Sequence, residues 1–329
     1  MEEKKIIYHV CDWNFEPGYY KDKFPRHRFP HAWFDTGIFY LVSYKDVNEV
    51  IQGKNNIIWF NTPVHDELNK LKLIDTFIDN NDVYISGEGT IWEWMDEWPA
   101  PEQELYIKLL SKCKAYVVAN EFDQHQVRLF APRTLRVTPC TNHFIEEYRK
   151  ELGEYIFLAN PSKGYQRGMM SHKLTYDSAP KNMDIYSLKF DRAPHMGRNI
   201  SLPDSYSMPG FKLLDRMDWD RFMAVTYNSR FGVDIHRNFS AGQTAVDFGS
   251  LGVPLVGNIK LDAQRIIFPD LSFEWDEYEN IKECIHLLSV DDDFCLDMGK
   301  KALENTKKYY NSVDVLSDFI TRFNIMQNS

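Results

Sequence analysis

Short apolar runs recur along the first half of the chain, each bounded by polar or turn-forming positions. "KKIIYHV" comes first. "GIFYLVS", "NNIIWF", "DVYISG", "AYVVAN" and "TLRVTP" follow. Such runs, rich in β-branched and aromatic residues, predict buried strands. Between them lie segments with helical spacing, "VHDELNKLKLIDTFIDN" and "PAPEQELYIKLLSKCK", and a shorter one, "FDQHQVRLFAP", stopped by Pro132. Strands alternating with helices predict an α/β fold with mostly parallel sheets covered on both faces. A second series begins near residue 155: the strands "EYIFLAN" and "NMDIYSLKF", the helix "MDWDRFMAVTYN", then "SRFGVDI" and "VPLVGN". Three helical segments end the chain. No strand signal survives in 142–154, so the expected domains are 1–150 and 151–329, the closing helices belonging to the second.

Composition narrows the function. A chain of 329 residues with 43% apolar content suffices for two cores. Its net charge of −10 argues against indiscriminate binding to nucleic acid or anionic membrane. The five cysteines are scattered without a C-x-x-C pair, which predicts reduced, mostly buried thiols and a cytoplasmic setting (host cytoplasm for a viral protein). No apolar run approaches the roughly 18 residues that span a bilayer. "MEEKKIIYHV" passes straight from charge into a strand, so no signal peptide is expected.

The most informative stretch is "NFSAGQTAVDFGSLGVPLVG". Ser240, Ala241 and Gly242 lead into a helix whose first turn holds Gln243 and Thr244. Backbone N–H groups at a helix N-terminus suit an anion such as phosphate. Asp247 shares a face with Thr244 and could accept hydrogen bonds from vicinal sugar hydroxyls. Gly252 ends the helix and Pro254 opens the next strand. A surface helix with a solvated aspartate is the alternative reading.

"T-A-V-D-F-G-S-L-G-V-P-L-V-G" resembles the donor-binding helix of GT-B glycosyltransferases, enzymes of two Rossmann-like domains facing across a cleft. Their pattern is roughly T-x-x-E-A-x-x-x-G-x-P-V-V. "YIFLANPSKG" is similar to their first C-terminal-domain strand and its Lys-Gly loop, and "LLSVDDDFCLDMGKKALENTKKYY" to their closing helices. The resemblance implies an N-terminal acceptor-binding domain and a C-terminal domain that binds a nucleotide sugar, a UDP-sugar for preference, with no further cofactor. It places Asp247 on the ribose and Lys163 on the diphosphate. Arg167, four residues on, is a second candidate cation. Retaining members carry another Glu eight residues before the ribose ligand. That position is Phe239 here, which favours inversion, and the ribose ligand is Asp rather than Glu.

Glu88, between Gly87 and Gly89 at a strand's end, is the candidate general base, and Asp12 is the runner-up. Trp92 and Trp94 could stack on a sugar or base, as could Trp98, with core packing the alternative for at least one. "G-E-G-x-x-W" is also similar to bacteriophage glycosyltransferases that modify hydroxymethylated pyrimidines in viral DNA. The loop "YYKDKFPRHRFPH" interleaves Arg26, Arg28, Lys21 and Lys23 with aromatics, which suits a polyanionic acceptor and equally a solvated loop. His9 reads as a core histidine. "DWD" imitates a metal motif but precedes a helix, where N-capping explains it, and "DDD" opens a helix, where acids favour the dipole. The expectation is therefore a metal-independent hexosyl- or pentosyltransferase. Its acceptor is a hydroxyl on phage DNA or on a cell-surface glycan or lipid-linked precursor. A non-catalytic nucleotide-sugar-binding protein and an epimerase are the rivals.

Overall fold

The structure is a computed structural model that describes residues 6–11, 37–61, 67–87, 98–159, 169–188, 211–215, 217–235 and 241–328. The chain divides into two compact units, the larger parts of which are Met1–Asn142 with Ser312–Ser329, and His143–Asn238 with Gly242–Asn311.

The first unit holds a six-stranded sheet: β1 (Ile7–Cys11), β2 (Phe39–Ser43), β3 (Ile57–Asn61), β4 (Asp82–Ser86), β5 (Ala115–Val118) and β6 (Thr134–Arg136). The order is β2-β1-β3-β4-β5-β6 and every pairing is parallel. Parallel strands are buried on both faces, which is why their sequences read as continuous apolar runs. One face presents Val10, Val42, Ile58, Phe60, Val83 and Ile85 to helices α1 (Val47–Val50), α2 (Glu67–Ile78), α3 (Ala100–Lys112) and α4 (Glu121–Val127). The opposite face carries Ile7, Phe39, Trp59, Tyr84 and Val117. His9 lies on it too, 5% exposed and stacked on Trp59 at 4.7 Å, in keeping with its reading as a core histidine.

The second unit's sheet comprises β7 (Tyr155–Leu158), β8 (Asp184–Leu188), β9 (Phe211–Leu214), β10 (Phe231–Asp234), β11 (Leu255–Asn258) and β12 (Ser272–Phe273), all parallel, in the order β12-β11-β10-β7-β8-β9. Its helices are α5 (Met169–Ser178), α6 (Trp219–Tyr227), α7 (Gln243–Ser250), α8 (Asp262–Ile267), α9 (Tyr278–Val290) and α10 (Asp292–Tyr309). Asp218 caps α6 by accepting from the Arg221 amide, the role expected of it, and Asp291 caps α10 by accepting from the Phe294 amide, with Asp292 and Asp293 in the first turn, where acids favour the dipole. All five cysteines are free and buried. Burial pushes the thiols of Cys113, Cys284 and Cys295 up to about 12, which keeps them protonated and unreactive.

One expected boundary needs correction. The last helix, α11 (Ser312–Gln327), belongs to the first unit rather than the second. Its seam of Val315, Phe319 and Phe323 packs on the sheet face that α1–α4 leave open, with Phe319 stacked on Trp59 and tilted against Phe39. The Gln327 amide donates to the Tyr84 hydroxyl at 2.6 Å. Phe319→Ala should therefore lower stability by ~3–5 kcal/mol, the usual cost of emptying an aromatic site in a core. Urea unfolding monitored by tryptophan fluorescence reads this, and an unchanged midpoint would mean that α11 is not part of the core.

Candidate functional site

In a parallel sheet, ligands bind outside the carboxyl ends of the strands, at the point where the strand order reverses. In the second sheet that point lies between β7 and β10. Both segments expected to bind the donor follow these two strands. Lys163 and Arg167 come after β7, and Gly242, Gln243, Thr244 and Asp247 come after β10. Lys163 and Arg167 themselves lie outside the described residues.

Gly242 is the N-cap of α7 with φ +78°. A Cβ there would stand 2.7 Å from the Ala263 Cβ on α8, so both the left-handed backbone and the contact between helices demand glycine. The first turn of any helix leaves amides without intrahelical acceptors. Here they belong to a turn in which Gln243 and Thr244 are half-buried. Asp247 is 1% exposed, which rules out the reading as a solvated surface acid. Its Oδ1 accepts from the Gln243 amide at 3.0 Å, one helical turn away. A carboxylate has about four acceptor positions, so it can hold several donors at once. Gly252, at φ +60°, ends the helix as expected, and the backbone of Gly252 lies where a Cβ on Gly299 of α10 would be, 2.3 Å from its carbonyl oxygen.

Sequence reading missed several groups at this edge. Asp234, the last residue of β10, is 4% exposed. A Cβ on Gly232 would meet Phe248 of α7, and side chains alternate along a strand, so Asp234 faces the α7 side as well. Ser171 on α5 fastens the next residue: its hydroxyl donates to the Ile235 carbonyl at 3.0 Å and accepts from the Ile235 amide at 2.7 Å. Asp262, the first residue of α8, is buried and accepts from Arg265 at 2.9 Å. A carboxylate ending an apolar strand, "FGVDI", was the available signal for Asp234. Among the described residues no group of three His, Cys, Asp or Glu side chains is arranged to hold a metal ion.

In the first sheet the order reverses between β1 and β3. Asp12 directly follows β1, whereas Glu88 follows β4, which pairs with the far side of β3. Asp12 and Glu88 lie outside the described residues, as do Trp92, Trp94, Arg26 and Arg28. Trp98 is described and is a core residue, packed edge-on against Tyr106 at 5.2 Å. At the carboxyl end of this sheet the Trp59 indole donates to the Ser86 hydroxyl at 2.8 Å, and Ser86 donates to Asn61 Oδ1 at 3.0 Å. The Tyr44 hydroxyl donates to the Asn61 carbonyl at 3.0 Å. A cavity of about 320 Å³ lined by Tyr8, Asn55, Asn56, Asp82 and Gln327 lies at the opposite, amino ends of these strands, away from this chemistry.

No protein-family model and no curated protein matches the chain. Solved structures do. S. aureus TarM, in a complex with fondaparinux, α-GlcNAc-glycerol and UDP, superposes with a TM-score of 0.62 at 12% identity over 85% of this chain. The chain spans only 58% of TarM's length. Sucrose-phosphate synthase from Thermosynechococcus elongatus gives 0.64 at 13% identity, covering 83% of this chain and 74% of its own. The α,α-trehalose 6-phosphate synthase of Burkholderia multivorans gives 0.65 at 8% identity, covering 98% and 99%. These neighbours are GT-B glycosyltransferases, and with the two parallel six-stranded sheets they show that the chain has the α/β fold of that class.

Proposed function

We propose that the protein transfers a sugar from a nucleotide sugar to an acceptor hydroxyl. The observation that carries this reading is topological. The two segments picked out from sequence as donor-binding follow β7 and β10, the pair of strands that border the reversal in the second sheet. The fold neighbours are consistent with it, and the UDP in the TarM complex favours a UDP-sugar donor. In this reading the α7 amides from Gly242 to Thr244, with Lys163 and Arg167, hold the diphosphate, and Asp247 accepts from the ribose hydroxyls.

Glu88, or Asp12 in its place, takes the proton of the acceptor hydroxyl. The oxygen attacks the anomeric carbon, the bond from that carbon to the diphosphate oxygen breaks, and the nucleoside diphosphate leaves with the electron pair. Cations and helix amides stabilise the charge that develops on it, so the step needs no metal. A single displacement inverts the anomeric centre, in line with Phe239 where retaining enzymes carry Glu. One structural neighbour, a trehalose-6-phosphate synthase, transfers with retention, so product stereochemistry is a test rather than a premise. Trp92, Trp94, Arg26 and Arg28 would contact the acceptor. A glycan and a hydroxymethylated DNA base both meet the requirement for a hydroxyl, and transfer assays with each separate them.

The direct experiment incubates the protein with UDP-glucose and UDP-GlcNAc in EDTA and follows UDP release and the anomeric proton of the product by NMR. Release that persists in EDTA supports the reading. No release with any UDP-, GDP-, ADP- or CDP-sugar, despite binding, would favour a non-catalytic binding protein. Asp247→Ala should weaken donor binding by ~1.5–3 kcal/mol, the usual worth of a hydrogen bond to a charged group. Calorimetric titration that finds donor affinity unchanged would remove Asp247 from the site. Glu88→Gln should cut transfer by about 100- to 10,000-fold, the range for loss of a general base. Donor affinity should hold. Near-normal turnover would pass the role to Asp12.

A further inference from the structure

We propose that Asn61 binds the acceptor, its side-chain N–H groups donating to an oxygen of the hydroxyl compound that receives the sugar. This rests on the transferase reading above and adds to it a residue that the sequence did not suggest.

The argument begins with hydrogen-bond direction. An indole N–H can only donate, so the Trp59–Ser86 contact at 2.8 Å makes the serine oxygen an acceptor there. The serine in turn donates to Asn61 Oδ1 at 3.0 Å, so the carbonyl oxygen is the amide atom that faces it. With Oδ1 turned toward Ser86, the Nδ2 group points away from it. Among the described residues, Nδ2 is bonded to no protein group. The rest of the residue is held as firmly. Tyr44 bonds its main-chain carbonyl, and the pairing of β3 with β4 sets Asn61 opposite Ser86. Trp59, the origin of the relay, is held by His9, stacked at 4.7 Å with ring planes 2° apart, and by Phe319, stacked at 6.1 Å.

Place and chemistry agree. Asn61 is half-buried and ends β3, one of the two strands that border the reversal in the first sheet, where a ligand of this unit is expected. Glu88 lies two residues beyond Ser86, its cross-strand neighbour. A neutral amide aimed by a relay supplies donors without taking a proton. It complements a carboxylate base, since one holds an acceptor oxygen while the other deprotonates the attacking hydroxyl. A hydroxyl or polyol oxygen is the matching ligand.

Asn61→Asp is the discriminating variant, because it keeps an oxygen for Ser86 and replaces the outward N–H groups with a charged oxygen that can only accept. The assay is UDP-glucose turnover in molar glycerol, scoring the ratio of glucosyl-glycerol to free glucose. The parent should form both. Asn61→Asp should lower the ratio of glucosyl-glycerol to free glucose about tenfold, the scale of one lost neutral hydrogen bond. Ser86→Ala, which frees the amide to turn, should lower the ratio as well, and it stands in should the aspartate variant fail to fold. An unchanged ratio in the variants overturns the inference, as does a parent that hydrolyses donor but never glycosylates glycerol. Absence of UDP release by the parent would instead defeat the transferase reading.

Discussion

In each sheet the strand order reverses once, between β1 and β3 in the first and between β7 and β10 in the second. Because every pairing is parallel, each strand delivers its following segment to the same edge, and the reversal opens a crevice there. The polar groups with chemical potential follow from that one constraint. Asp234, the Ser171 clasp and the α7 N-terminus lie at the edge of the second sheet, and the Trp59–Ser86–Asn61 relay lies at the edge of the first. Glycine serves the same end in the second unit. Gly242 lets α7 start against α8, and Gly232 lets Phe248 settle on β10.

Much of this was legible in the sequence, for physical reasons. Buried parallel strands are apolar on both faces, so "IIYHV", "IIWF" and "DVYIS" announced themselves, and the strand expected just before Glu88 ends at Ser86. Capping acids such as Asp218 betray their role by local spacing alone. The edge strand β9, "FKLL", and helix α5, "MMSHKLTYDS", were missed because neither carries a clean apolar period. The burial of Asp247 could have been foreseen. Ala245, Val246, Phe248, Gly249 and Ser250 surround it in sequence and are all buried, and a helix that is apolar on every side is enclosed.

Other features were beyond sequence reading. An asparagine at a strand end reads as a turn residue, and its orienting partner lies 25 positions away on another strand. The amphipathic seam of α11 reveals that the helix covers something. Which sheet receives it depends on which face the other helices leave bare, a property of the assembled unit.

That last helix has a consequence for how the protein is made. The six strands of the first unit are complete by Arg136, yet the helix that covers one face of them starts at Ser312. At ribosomal speeds of about 5–20 residues per second, roughly 9 to 35 seconds pass between the two. During that interval Phe39, Trp59 and Tyr84 lack the cover that α11 gives them in the finished fold, while the second unit is still being synthesised. A nascent chain in that state offers an aromatic sheet face to chaperones, and to other nascent chains on the same messenger RNA.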